Sequence, residues 1–308
     1  MPPFLAQRAA LLAQRAAALI YLNIRRNDTW VVSLYSASIV RIWILVLIAV
    51  AVLASSGEAQ RRGGGRGFNL EFATADDFDG RFQFCRVAFR QNRGGDGGNW
   101  AVDYPRADIN MSIRLSELTK TQVTFDGPQN PRHAVVRLTD ESLFQCPFVM
   151  MTEVGAAYLD AAEAAALRTY VDKGGFVWAD DFWGEYAWQA WSEQLAKALP
   201  PAQYPITELP PDHPLFRAQF ILAGVPQIAS IGHWFNSGGG TSERGQDSAV
   251  PHARAVTDAN GHILVLMTHN TDVGDSWEEE ASNPQYFYEM SSKGYAFGVN
   301  VLVYAMSH

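Results

Sequence analysis

Residues 160–195, DAAEAAALRTYVDKGGFVWADDFWGEYAWQAWSEQL, decide the fold. Asp160 followed three residues later by Glu163 has the form of a capping box, in which an acidic cap accepts first-turn amides. Ala164, Leu167 and Val171 then fall on one apolar face at helical spacing. Gly174 and Gly175 end that helix, because glycine enters the left-handed region without a Cβ clash. Phe176, Val177, Trp178 and Ala179 read as a buried strand that stops at Asp180-Asp181, and Trp188, Trp191 and Leu195 mark the next helix. Together with the continuously apolar run at 144–151 upstream, this is strand, helix, strand, helix. That order predicts parallel βαβ units.

Working outward, 82–89, 122–125 and 134–138 predict further strands, and Asp108 is placed to cap a helix carrying Ile109, Met111, Leu115 and Leu118. Downstream, 253–256 and 262–267 flank Asn260-Gly261, a tight-hairpin signal. A final helix is expected within 286–305. The expected fold class is therefore α/β, three-layered, with a mainly parallel sheet flanked by helices and a C-terminal hairpin. One domain is expected at 80–308, since no repeat and no clean linker divides it.

The first 79 residues read differently. Thirteen uncharged, nearly all apolar residues occupy 42–54, followed by SSGEAQ. A helix of that length spans about 20 Å, short of a hydrocarbon core of about 30 Å. Gly57 and Ala59 supply small residues for cleavage before Gln60. Residues 1–59 are read as an N-terminal extension with a signal peptide or, if uncleaved, a single transmembrane anchor, and 60–79 as a flexible tether containing RRGGGRG. Both readings export the domain, to the periplasm or beyond, with membrane contact only through the uncleaved segment. Cys85 and Cys146 are the chain's two cysteines, and their strand-like surroundings suit either a disulfide or two buried thiols.

Across 308 residues the chain has 24 basic and 32 acidic side chains, net −8, with 48% hydrophobic and 18% charged residues. With 5 basic and 2 acidic residues in 1–59, the remainder holds 19 and 30, a net −11. The composition excludes disorder and collagen. The charge argues against nucleic acid, leaving an envelope protein, a glycan or a small molecule as the expected partner.

In open α/β sheets ligands gather beyond the carboxyl ends of parallel strands. Asp180 and Asp181 sit at such an exit, suited to a divalent cation, to proton transfer, or merely to capping the next helix. Asp212-His213-Pro214 offers an imidazole that could join them, and His269-Asn270-Thr271-Asp272, with Trp277 nearby, follows another apolar strand. GxSxG, GxxxxGK[ST] and HExxH motifs are absent, so the motifs nominate neither a cofactor nor a metal.

YPRADINMSIRLSELT (104–119), LFQCPFVMMTEVG (143–155), LRTYVDKGGFVWADDFWG (167–184), LPPDHPLF (209–216), THNTDVGDSWE (268–278) and GYAFGVNVLVYAMSH (294–308) together resemble the bacterial domain of unknown function family DUF4159. The resemblance implies a flavodoxin-like, class I glutamine-amidotransferase-like fold, and it points to Asp180, Asp181, Asp212, His213, Asn270, Trp277 and Asn300 as recurring polar positions. It brings no activity, and the nucleophile elbow needed for glutamine hydrolysis is missing. The resulting expectation is a non-catalytic exported domain binding a ligand or partner, with a hydrolase using Asp180, Asp181 and His213, with or without a metal, as the alternative.

Overall fold

The computed structural model describes residues 70–308. Seven strands form the central sheet: β1 (Phe84–Val87), β2 (His133–Val136), β3 (Phe148–Thr152), β4 (Phe176–Asp180), β5 (Ile206–Glu208), β6 (His252–Thr257) and β7 (Ile263–His269). Their spatial order is β2-β1-β3-β4-β7-β6-β5. The first five are parallel, whereas β6 is antiparallel to both its neighbours. The sheet is thus mixed and mostly parallel, and the hairpin signalled by Asn260-Gly261 is its β6–β7 pair, with Gly261 at φ 86°.

Strand alternation splits the core into two. Val149, Met151, Val177, Ala179, Val265 and Met267 face α2 (Ala161–Asp172) and α3 (Gly184–Ala198), which contribute Leu167, Val171, Trp191 and Leu195. Phe84, Phe148, Met150, Trp178 and Leu266 face the other way. There they meet Met111 and Leu115 of α1 (Arg106–Leu118), Trp277 of the short α5 (Val273–Glu278) and Phe297 of the C-terminal α6 (Ser292–Ser307). A lesser helix, α4 (Ile231–Asn236), precedes β6. Period-two alternation on strands covered from both sides gives three layers, as expected.

Local chemistry explains the best-defined element. Asp160 accepts from the Glu163 amide at 2.9 Å, and the Glu163 carboxylate accepts from the Asp160 amide at 2.9 Å, closing both halves of the capping box on α2. Gly174 then turns the chain at φ 90° into β4. Cys85 and Cys146 form a disulfide across 61 residues of sequence. In the chain-entropy account, closing a loop of that size stabilises the fold by about 4 kcal/mol.

Three expectations need adjustment. Asp108 does not cap α1. The helix begins at Arg106, and Asp108 lies fully buried in its first turn against Arg86. The run at 144–151 divides into a 3-10 turn (Glu141–Gln145) and β3, since Pro147 interrupts it. The reading of the chain as a membrane protein is corrected: among the described residues no helix is long and apolar enough to cross a membrane. The apolar segment at 42–54 and most of the tether lie outside the described residues.

A buried acidic site at the strand exits

Four neighbouring parallel strands deliver a carboxylate to the same end of the sheet. Asp103 lies in the excursion after β1, Glu153 directly follows β3, Asp181 directly follows β4, and Asp272 stands three residues beyond β7. Asp103, Glu153 and Asp181 hold φ of 62°, 56° and 55°, and Asn270 holds 63°. Residues with side chains occupy this left-handed region at a cost of about 1–3 kcal/mol each, and such strain gathers at functional sites. Among the described residues, five other than glycine hold a positive φ, and four of them are at this rim.

One oxygen each from Asp103, Asp181 and Asp272 lie within 4.8 Å of one another, and all three residues are buried. Oxygens around one hard cation, at roughly 2.0–2.6 Å from it, can be no more than about 5 Å apart, so this spacing fits a shared ion. Burial raises all three carboxyls well above their usual range, and mutual repulsion adds to it: Asp275 on Asp103, Glu153 on Asp181, Asp181 on Asp272. Asp103 Oδ2 accepts no hydrogen bond. Asp181 accepts from the Trp183 indole at 3.0 Å, and Asp272 caps α5 through the Asp275 amide at 2.8 Å. Each of these two therefore keeps an oxygen for other use.

Asp180 plays a different part. Its carboxylate accepts from the Thr268 hydroxyl and from the amides of Val273 and Gly274 at 2.9 and 3.2 Å. Thr268 in turn accepts from the Trp178 indole at 2.8 Å. Asp180 thus seats α5 on the sheet, a positioning role. Burial outweighs these bonds and pushes it up to about 7. Glu153, partly buried, is likewise pushed up to about 7 by burial and by Asp96 and Glu243, against a lowering contribution from the Gly98 amide. The Gly97 and Gly98 backbone closes around its carboxylate so tightly that a Cβ at either glycine would overlap it or press on it.

Arg86 sets Asp103 in place. Fully buried, it donates through Nε to both Asp108 oxygens at 3.1 Å and through Nη1 to the carbonyls of Trp100 and Val102 at 3.2 and 3.1 Å. It thereby fixes the backbone immediately before Asp103.

Of the residues nominated from sequence, Asp180, Asp181 and Asp272 meet at this rim, with Asn270 beside them. The Asn270 amide bridges the Gly184 amide and the Val250 carbonyl, both at 2.8 Å, and so joins two loops. Trp277 is buried in the core, edge-on to Trp178 and Phe84. Asn300 clamps the amides of Gln219 and Phe220 and the Phe220 carbonyl. Asp212 and His213 are elsewhere: the His213 ring packs on Tyr304, whose hydroxyl meets the amide of Ile263, the first residue of β7. The acids lie past the other end of that strand, about 20 Å away by strand rise. Burial and His308 hold the His213 imidazole below its usual range, and its Nδ1 accepts from Leu215. Sequence reasoning did not single out Asp103, Glu153, Asp275 or Glu278. Glu153 carried the same signal as Asp181, an acid directly after an apolar strand.

No curated protein matches the chain. The family model described as "Domain of unknown function (DUF4159)" matches residues 83–306, a span that takes in every strand of the sheet and every acid of the rim, and the chain belongs to that family.

Proposed function

We propose that the domain is a metal-assisted hydrolase, with a divalent cation held by Asp103, Asp181 and Asp272. The observation that carries the reading is the three buried carboxylate oxygens within 4.8 Å of one another. Arg86 is engaged by Asp108. Buried carboxylates in such number need protons or a metal, because an unpaired charge away from water costs several kcal/mol. The all-oxygen donor set suits Mg²⁺, Mn²⁺ or Ca²⁺. A cation there would lower the pKa of a bound water. Glu153, which directly follows β3 and whose charge acts on Asp181, would receive that water's proton. Asp180 and α5 hold the ligands in register, and Asp181 rather than Asp180 ligates.

Two broader expectations belong to the same proposal. The parallel strands run 2-1-3-4 with β7 fifth, which supports a flavodoxin-like relationship. Export to an oxidising compartment is supported by the Cys85–Cys146 disulfide.

The test is hydrolysis of a panel of ester, amide and phosphoester substrates by untagged protein, with metal content measured in parallel. Activity should require a divalent ion, vanish with chelator, and fall at least about 100-fold in Asp181→Asn. Metal binding without any hydrolysis, or hydrolysis indifferent to chelator, would refute the reading. The first of those results would favour the ligand-binding alternative.

A further inference from the structure

We propose that the site takes two divalent cations, with the Asp103 carboxylate bridging them and the second ion held by Asp103, Asp275 and Glu278. The inference rests on the metal-assisted reading above and adds a second ion to it. One oxygen each from Asp103, Asp275 and Glu278 also lie within 4.8 Å of one another, so Asp103 is common to both sets. A carboxylate can give one oxygen to each of two ions. Asp103 is only 7% exposed, and its Oδ2 is buried without a hydrogen-bond partner. That oxygen lies over Gly274, where a Cβ would stand 2.5 Å from it. The first turn of α5 is therefore bare where the Asp103 oxygen approaches it.

Asp275 is oriented for the same task. The Tyr286 hydroxyl and the Ile231 amide both donate to its Oδ2 at 2.8 Å, so one oxygen holds the side chain and ligation falls to the other. Glu278 lies three residues further along α5, on the same face as Asp275, and is less buried, at the outer edge of the cluster. The two sets contain five carboxylates, and two dications can offset four such charges where one offsets two. With no histidine or cysteine among the donors, the second ion is of the same hard class as the first.

The experiment is Mn²⁺ titration of metal-free full-length protein, read by equilibrium dialysis for stoichiometry and by electron paramagnetic resonance for spin coupling. Wild type should bind two ions per chain with an exchange-coupled signal. Glu278→Gln, at the edge of the site, should bind one with at least tenfold loss at the second and no coupling. Asp103→Asn, checked for folding by circular dichroism, should lose both. One ion in wild type would overturn this inference and leave the single-ion reading intact, whereas none would overturn both. Two uncoupled ions, or two ions retained by Asp103→Asn, would overturn the bridging role.

Discussion

Arg86 illustrates how one side chain organises a rim it does not line. It is enclosed by β1, α1 and the 100–103 backbone, and its charge is matched by Asp108. Removing one partner of a buried pair leaves the other charged and unsolvated, a loss of about 3–5 kcal/mol. Arg86→Ala should therefore lower unfolding stability by about that amount in denaturant titrations. It should also weaken cation binding, because the carbonyls that fix the approach to Asp103 lose their donor. An Arg86→Ala protein of wild-type stability would show that Asp108 is rescued by water or a proton.

At the scale of elements, α5 is a six-residue helix that owes its place to Asp180 and Asp272. Gly274 within it makes room for the Asp103 carboxylate. Gly274→Ala should displace that carboxylate, 2.5 Å from the added Cβ, and so weaken Mn²⁺ affinity at least tenfold. Unchanged affinity would mean that the Asp103 oxygen over Gly274 is not a ligand. The same element shows where sequence reading succeeds and where it stops. The capping box on α2, the Gly174 exit and the Asn260-Gly261 turn are local, so the fold class followed from residues a few positions apart. Asp181 and Asp272 were legible because both follow buried strands. Asp103 was not, since it reaches the rim from an excursion whose course is fixed by Arg86, 17 positions earlier. His213 went the other way: after β5 the chain returns along the second layer to Tyr304, a path no local signal records.

Across the whole molecule, the acidic rim ties stability to pH in an unusual direction. Asp180, Asp275 and Glu153 are each raised to about 7, Asp275 by burial, against the lowering bonds from Tyr286 and Ile231. Folded protein therefore retains protons that unfolded chain, with carboxyls near 4, releases. The stabilisation is complete below about pH 4 and is lost as pH rises through about 7. With chelator present, the melting temperature should fall between pH 5 and pH 8, and saturating Mn²⁺ should flatten that decline by taking the protons' place. A chelated protein that gained stability over the same interval would contradict the raised carboxyls.

The disulfide lies toward the amino ends of the strands, joining β1 to the residue just before Pro147 and β3, while the carboxyl ends are spanned by noncovalent contacts such as Asp96–Arg244 at 3.4 Å. Cys85 and Cys146 bracket the glycine-rich loop at 94–98. A protease that severs that loop consequently cannot release a fragment: the nicked domain should migrate as one species under denaturing, non-reducing electrophoresis and separate into two bands only after thiol treatment.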